Sequence, residues 1–193
     1  MRRIAFCFIG LLLLPGMALA LVTSWKIVPE RSKIIFIARQ NGAPVTGKFT
    51  SFNGKIHFNP DKLSESKARI IVDMNSISTT YQDLTDTLKA ADWFDMKLFP
   101  DAVFNSSTFS KVGDNQYQAK GTLTIRDQTV PLTLMFTFKQ PTADTAQVVG
   151  STLLKRNAFG VGQGEWASTI EVQDDVKVNF TVHAVKTSPK LSP

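Results

Sequence analysis

The amino-acid sequence predicts a single all-β domain that follows an N-terminal export signal. Three observations support this prediction. Apolar and polar residues alternate with a period of two along most of the chain, which is the pattern of a half-buried strand. Turn-forming residues separate these segments at short intervals. Only one segment shows the spacing of an amphipathic helix. Many short strands at such intervals indicate a β-sandwich or an up-and-down β-barrel.

The first 20 of the 193 residues have the features of a cleavable signal peptide. Two arginines provide a positive start, residues 4–14 form a short apolar run, and Ala-Leu-Ala at residues 18–20 matches the small-x-small cleavage pattern. The run is about half as long as the roughly 20 residues of a membrane-spanning helix. We therefore expect a mature chain that starts at Leu21; the alternative is an uncleaved N-terminal anchor.

Composition and charge argue against several classes of function. The chain carries 22 Lys and Arg against 16 Asp and Glu, a net charge of +6, and loss of the two signal arginines leaves +4. These basic residues are spread along the chain, so nucleic acid is not an expected partner. The only cysteine, Cys7, lies inside the signal. The mature chain would therefore have no disulfide, thiol nucleophile or thiolate metal ligand.

Six segments beyond the signal have the patterns of strands. The first is apolar at nearly every position, as in a strand that is covered on both faces. The third is a continuous apolar run rich in β-branched residues, and the others alternate. In chain order, the segments are 32–38, 52–58, 68–74, 122–125, 132–138 and 176–183. Turn chemistry separates them at residues 41–44, 59–61, 112–115 and 126–128.

One segment departs from the strand pattern. Thr79 followed by Gln82 matches a capping box. Four apolar side chains then share one helical stripe, namely Tyr81, Leu84, Leu88 and Ala91. We expect a short amphipathic helix from about Thr80 to Ala91 that closes one end of a barrel.

The mature chain offers little catalytic or metal-binding chemistry. Its two histidines, His57 and His183, fall on the polar parity of their strands, so we expect them to face solvent and to be neither catalytic nor metal ligands. The adjacent acids Asp174 and Asp175 would point to opposite faces of a strand. The glycine-rich segment 160–164 follows a strand pattern and precedes no helix, so it indicates a loop or bulge. No catalytic residue and no metal site are therefore predicted.

Apolar aromatic side chains are abundant, with 14 Phe against two Tyr. Periodicity alone favours a filled β core over a ligand cavity as the use of these residues. Parity also assigns the side chains that point inward. This inward set contains Phe36, Phe52, Ile56, Phe58, Val72, Leu123, Ile125, Leu134, Phe136, Val178 and Phe180.

Eight short motifs occur together over the whole mature chain, at residues 25–29, 32–36, 45–49, 76–79, 86–95, 99–106, 121–132 and 155–160. Among them are Gly47-x-Phe49 and Arg156-x-x-Phe159-Gly160. Each motif is weak, but their number, order and spacing resemble those of the YceI family, the polyisoprenoid-binding, lipocalin-like proteins of bacteria. Asp127 stands where that family usually has a glycine in a hairpin turn.

The resemblance implies an extended antiparallel up-and-down β-barrel of about eight strands, lipocalin-like, with one short helix capping an end. Residues 21–186 would form this domain and residues 187–193 a frayed tail. It also implies a cavity in place of the filled core, lined by the inward set together with Phe159. Arg156 stands at the family's arginine and is a candidate head-group contact; the alternative is an ion pair that braces its loop.

The function that the resemblance implies is that of a periplasmic, non-enzymatic carrier for a long isoprenoid lipid, such as a polyprenyl lipid or the tail of a quinone. No cofactor other than such a bound lipid or quinone is implied. Such a carrier would make transient contact with a membrane or with a membrane redox protein. Two other functions stay open: an enzyme that acts on such a lipid, and a ligand-free interaction domain that serves a membrane redox protein.

The energetics of burial favour a long ligand. Burying one CH₂ group contributes about 0.8 kcal/mol, and association costs on the order of 4–15 kcal/mol. A micromolar complex needs about 8 kcal/mol net. On the order of 15–30 carbons must therefore be buried if polar contacts contribute little.

Overall fold

The computed structural model describes residues 23–187, which form a closed antiparallel β-barrel with one α-helix. The strands are β1 (Ser24–Ile27), β2 (Lys33–Gln40), β3 (Ala43–Phe49), β4 (Phe52–His57), β5 (Lys67–Asp73), β6 (Ile77–Thr79), β7 (Asp101–Gly113), β8 (Gln116–Ile125), β9 (Gln128–Thr142), β10 (Thr145–Lys155) and β11 (Asp175–Thr187), and helix α1 spans Gln82–Lys89. The expected signal peptide, residues 1–20, lies outside the described residues, as do residues 188–193 of the expected tail. Thr187, the first residue of that tail, is not frayed but pairs with Ser24 in the barrel wall.

Three pairs of short strands act as single bent strands of the barrel wall. These pairs are β1 with β2, β3 with β4, and β5 with β6, so the wall contains eight strands. Each of the eight pairs with its neighbours in the chain, and β11 closes the ring by pairing with both β1 and β2. The prediction of an antiparallel up-and-down barrel of about eight strands is confirmed.

The tight turns follow the residues that the sequence offers for them. Asn41 and Gly42 join β2 to β3, and both have positive φ angles, 50° and 79°, as a two-residue type I′ hairpin turn requires. In the turn between β8 and β9 the positive φ angle, 55°, falls on Arg126. The backbone of Asp127 therefore does not need the conformational freedom of the glycine that it replaces.

Helix α1 caps one end of the barrel, as expected, but it is shorter than predicted. It is flanked at its start by Tyr81, no side chain caps it, and Tyr81 is 71% exposed. The predicted capping box is wrong because Thr79 is paired in β6 and its hydroxyl bonds to the carbonyl of Tyr81 and to Thr85 Oγ1. Only Leu88 of the predicted stripe is fully buried. No helix within residues 23–187 is long and apolar enough to span a membrane.

The up-and-down order gives the barrel two ends, and both are packed. The helix end carries the β2–β3 turn, residues 80–100, the β8–β9 turn and residues 156–174. There, Leu88, Trp93, Met96, Phe159, Val161 and Val172 belong to one buried cluster. Arg126 ties this end together, because its Nη1 donates to the carbonyls of Ala91, Trp93 and Gly160 at 2.9, 2.6 and 3.0 Å.

The opposite end, which we call the termini end, is closed by aromatic side chains. Trp25, Phe58, Tyr117 and Phe138 are buried in a second cluster. The ring centroid of Phe58 lies 4.9 Å from that of Phe138 and 5.3 Å from that of Tyr117. Trp25 Nε1 also donates to the carbonyl of Phe58 at 2.9 Å. Two packed ends thus enclose the middle of the barrel.

Candidate functional site

A cavity of about 280 Å³ lies inside the barrel between the two packed ends. Of the 38 residues that line it, 36 are apolar, and the exceptions are Thr152 and Arg156. Along β10 the lining runs from Ala146 to Leu154. Those eight steps of ~3.3 Å, reduced by a strand tilt of ~40°, correspond to about 20 Å along the barrel axis. The cavity is therefore elongated and almost wholly apolar.

The structure places every predicted lining residue on the cavity wall. They are Phe36, Phe52, Ile56, Phe58, Val72, Leu123, Ile125, Leu134, Phe136, Phe159, Val178 and Phe180. Which of them contact a ligand stays a prediction.

Sequence reasoning missed several other lining residues. Leu88, Trp93 and Phe94 come from the helix end, where no strand parity applies. Phe104 and Phe109 of β7 also line the cavity although they are an odd number of residues apart. A shift in the pairing of β7 with β8, between Ser106 and Thr108, accounts for this change of parity. A bulge of this kind leaves no clear signal in the sequence.

The interior is hollow, which corrects the filled core favoured by periodicity alone. In a filled core the inward residues of each strand would be fully buried. Leu134 and Phe136 of β9 and Val178 and Phe180 of β11 line the cavity, yet each is only half-buried. Their inner surfaces therefore face open space.

Glycines on neighbouring strands help to keep this space open. Phe36 is paired with Gly47, Ile70 with Gly54 and Phe180 with Gly150. A Cβ atom at Gly47 would lie 2.5 Å from Cε1 of Phe36, and one at Gly54 would lie 2.6 Å from Cδ1 of Ile70. A Cβ atom at Gly150 would collide with the ring of Phe180. Each large side chain thus fills space beside the wall that a glycine leaves free.

Arg156 is the only charged residue in the cavity lining, and it is 4% exposed. All five of its N–H groups donate to backbone carbonyls at 2.9–3.3 Å. The acceptors are Val161, Gly162, Ser168, Val172 and Gln173. Burial lowers the pKa of the Arg156 guanidinium, and the charge of Asp174 opposes this effect. An arginine nevertheless stays protonated in proteins.

The head-group role that the sequence analysis offered for Arg156 does not fit this geometry. A guanidinium has five N–H groups, and here none is free to donate to a ligand. Arg156 instead braces the loop of residues 156–174, which was the alternative interpretation. It does so through carbonyl groups and not through the ion pair that the alternative assumed.

The histidines and the paired acids lie away from the cavity lining. His57 Nδ1 bonds to Ser24 Oγ at 2.8 Å, and His183 Nε2 lies 3.3 Å from Gln147 Nε2. Neither histidine belongs to the cavity lining, and both are half-buried, so they are only partly exposed to solvent. Among residues 23–187, no group of three or more His, Cys, Asp or Glu side chains could hold a metal ion.

The two adjacent acids have separate structural partners. Asp174 Oδ1 accepts a hydrogen bond from the backbone N–H of Asn157 at 2.9 Å. Asp175 forms an exposed ion pair with Lys155. Neither belongs to the cavity lining, so their arrangement gives no acid–base pair that faces the interior.

A comparison with protein families finds a match to the model described as the YceI-like domain, over residues 25–184. Among curated relatives, a UPF0312 protein of Vibrio cholerae is 26% identical over 122 residues. That alignment covers 61% of this chain and 65% of the relative, so the chain spans a little under two-thirds of the relative's length.

Two solved structures show how far the fold is shared. BcnA of Burkholderia cenocepacia is 32% identical, with a TM-score of 0.78 over 81% of this chain and 98% of that one. A polyisoprenoid-binding domain from Saccharophagus degradans, implicated in plant cell wall breakdown, has a TM-score of 0.69 over 84% of this chain and 98% of that one. At 13% identity, the second likeness shows the fold alone.

Proposed function

Because the chain belongs to the family of YceI-like domains, we propose that its barrel binds a long isoprenoid lipid, such as a polyprenyl lipid or the tail of a quinone, and acts as a carrier. The observation that carries this proposal is the cavity, about 20 Å long and apolar at 36 of its 38 lining residues. The similarity of the fold to that of a polyisoprenoid-binding domain supports it.

The chemistry of the wall selects for an apolar chain. Burial of each CH₂ group contributes about 0.8 kcal/mol, and the elongated shape allows many such groups to be buried at once. The wall offers few sites to a polar group, because the five N–H groups of Arg156 already have partners. Among the side chains of the lining, the indole N–H of Trp93, at the helix end, is buried without a hydrogen-bond partner. We infer that a polar head group lies at one end of the cavity or outside it.

A binding role fits the lining better than catalysis does. General acid–base chemistry most often uses a His, Asp, Glu, Lys, Tyr or Cys side chain that faces the substrate, and the lining residues include none of these. A ligand-free interaction domain would have no need of an open interior. We therefore favour the carrier over both alternatives.

The site of action that we propose is the periplasm. The basic start, the short apolar run and the Ala-Leu-Ala pattern at residues 18–20 support export. A carrier in that compartment could move a lipid that is too apolar to cross water alone.

The direct test is to identify what the purified protein carries and to measure binding of a defined probe. We expect organic extraction of the exported protein followed by mass spectrometry to yield an isoprenoid lipid at about one molecule per barrel. Added ubiquinone should quench the fluorescence of Trp25 and Trp93, which both line the cavity. An extract that holds only phospholipid, with no quenching by ubiquinone, would contradict the proposal.

A matched pair of variants locates the binding inside the barrel. Leu134 lines the cavity, whereas its neighbour Thr133 is exposed on the outside of the same strand. We expect Leu134→Trp to fill part of the cavity and to weaken ubiquinone binding, while Thr133→Trp leaves it unchanged. Equal effects of the two substitutions would place the probe elsewhere.

A further inference from the structure

The ladder between β9 and β10 ends before these strands reach the helix end of the barrel. The pairing of these strands stops at Met135 and Ser151. Residues 128–134 of β9 continue along β8 alone, and residues 152–155 of β10 continue along β11 alone. One hydrogen bond crosses the gap, from Thr152 Oγ1 to the carbonyl of Thr133 at 3.3 Å. We call this gap the seam.

Pro131 helps to keep the seam unpaired. In a two-residue hairpin the pair that flanks the turn, here Ile125 and Gln128, is hydrogen-bonded, and bonded and non-bonded pairs then alternate. By this count the pair of Thr122 with Pro131 is non-bonded, so the nitrogen of Pro131 faces β10. A proline has no N–H to donate there, which blocks a regular ladder.

The inward side chains beside the seam are not fully buried. Leu132 and Leu134 of β9 and Thr152 and Leu154 of β10 line the cavity, and all four are half-buried. A second break in the wall, between β2 and β4, differs in this respect because Phe52 beside it is only 3% exposed. The seam is therefore the more open of these two lateral routes to the cavity.

The outer face beside the seam is apolar and basic. Leu153, Met135 and Val149, on the two strands that form the seam, are 56%, 45% and 46% exposed. Lys33 and Ile35 of β2 share a shallow outer groove with Val149. Strands β2, β3, β9, β10 and β11 carry seven Lys or Arg residues, all exposed, and one acid, Asp175. That acid is already paired with Lys155.

The charge of the helix end is the opposite. Residues 80–100 and 156–174 together contain seven acidic and three basic residues. An anionic surface would therefore repel the helix end and attract the basic walls of the barrel. The exposed Leu153, Met135 and Val149 favour the wall that contains the seam over the far wall. Each Lys or Arg held near an anionic lipid surface contributes a further attraction.

We propose that this outer face docks on an anionic phospholipid bilayer and that the ligand passes sideways through the seam between β9 and β10. The docking step stands on charge and exposed apolar side chains. The passage step rests on the proposed function, because it needs a lipid in the cavity. Docking would set the seam against the membrane, so that an apolar chain could move between bilayer and cavity with little exposure to water.

Docking can be tested without any ligand in the cavity. We expect the protein to float with vesicles of phosphatidylcholine and phosphatidylglycerol, not with phosphatidylcholine alone, and to be released by salt. Lys33→Glu/Lys177→Glu should weaken this binding at least tenfold. The matched control Lys67→Glu/Lys111→Glu makes the same charge change on β5 and β7 of the far wall and should alter it by less than about twofold.

A second pair of variants, in which Asp replaces an exposed apolar residue, separates the apolar contribution to vesicle binding from the effect of net charge. Leu153→Asp, at the seam, should weaken vesicle binding, whereas Val112→Asp, at a similarly exposed position of β7, should not. The docking step would be overturned if the protein did not bind vesicles that contain phosphatidylglycerol. It would also be overturned if the variants on the seam side and their controls on β5 and β7 lost vesicle binding to the same extent. Binding only when a membrane protein is present would replace the bilayer by a protein partner.

Passage through the seam is tested by closing it. If the register of Met135 with Ser151 continued, Thr133 would lie opposite Leu153. The double variant Thr133→Cys/Leu153→Cys can therefore join β9 to β10 by a disulfide. If the two thiols are too far apart to oxidise, a short bismaleimide can cross-link them. We expect the closed form to transfer ubiquinone to vesicles at least tenfold more slowly than its reduced form. The control variant Ser151→Cys/Asn179→Cys places a disulfide between β10 and β11, which are already paired at these residues. Its oxidation should change the rate of ubiquinone transfer by less than twofold.

The outcomes of these tests distinguish the two proposals. Equal transfer by the closed and open seam would overturn passage while leaving lipid binding intact. Failure of ubiquinone to bind at all would refute the proposed function, and the vesicle-binding result would still decide the docking step.

Discussion

Replacing Gly47 by alanine should narrow the cavity without adding any side chain that itself reaches the ligand. Gly47 of β3 is paired with Phe36 of β2, whose ring occupies the space beside the glycine. The new Cβ atom would lie 2.5 Å from Cε1 of Phe36 and 3.0 Å from Cγ2 of Thr79. Because Phe36 lines the cavity, we expect its ring to move inward.

The size of the effect follows from these distances. Carbon atoms in contact lie about 3.5–4.0 Å apart, so the ring must move by at least ~1 Å. Overpacking of this kind costs about 1–3 kcal/mol, and alanine offsets ~0.5–1 kcal/mol of this because glycine is unfavourable in a strand. A net loss of about 1 kcal/mol in the free energy of unfolding is expected. Each CH₂ group of ligand that no longer fits costs about 0.8 kcal/mol, or roughly fourfold in Kd.

The assay pairs urea unfolding with ubiquinone titration by tryptophan quenching. Gly113→Ala is the matched control, since the three atoms nearest to a Cβ atom there all belong to the side chain of Gln116, which is outside the cavity lining. The double variant Gly47→Ala/Phe36→Leu should recover part of the lost affinity by making room again. If Gly47→Ala bound ubiquinone as tightly as the parent, the idea that this glycine keeps the cavity open would be wrong.

Four further predictions follow from the structure. Phe136→Ala and Phe180→Ala should reduce the lipid retained per folded protein more than Arg156→Ala does. Because Phe136 is only half-buried, Phe136→Ala should cost less stability than the ~3–5 kcal/mol of a well-packed phenylalanine. Loss of lipid only in a fully folded Arg156 variant would reverse this conclusion. Arg156→Ala should lower the free energy of unfolding by about 2–4 kcal/mol, because the charge-assisted hydrogen bonds of Arg156 are lost. Arg156→Lys should not restore this stability, because an ammonium group cannot reach five carbonyls. Urea midpoints close to that of the parent would argue against the loop-bracing role. Hydrogen bonding to Asp175 raises the pKa of Lys155 above 10.5, so the stabilisation by this pair is present below that pH and is lost as the pH rises through the folded-state value. Asp175→Asn should abolish that part of the pH dependence, and an unchanged alkaline profile would show that the pair contributes nothing. Intact mass of the exported protein should correspond to a chain that begins at Leu21, and retention of residues 1–20 would refute the expected cleavage.

The structural predictions that depend on local chemistry are the ones that agree with the structure. Alternation within a strand assigns its inward side chains without knowledge of its partners, and for this reason Leu134, Phe136, Val178 and Phe180 lie on the cavity wall. The turn at Asn41 and Gly42 forms where the sequence offers residues that accept a positive φ angle. Local reasoning fails where a distant segment competes for the same group. The hydroxyl of Thr79, expected to cap helix α1, is held by Thr85 and the carbonyl of Tyr81 while its backbone pairs with Gly47.

The sequence by itself determined an all-β chain, six of its strand segments and the inward set, because these depend on periodicity and on turn residues. Only the tertiary structure decided that the barrel is hollow, since the room beside Phe36 and Phe180 exists only when each is registered against a glycine of another strand. Tertiary structure alone also decided that Arg156 braces a loop, because its carbonyl acceptors lie 5 to 17 residues away along the chain. The seam also depends on tertiary structure, because it lies where the pairing of β9 with β10 ends. Pairing between strands depends on the whole barrel and is not encoded by any single segment.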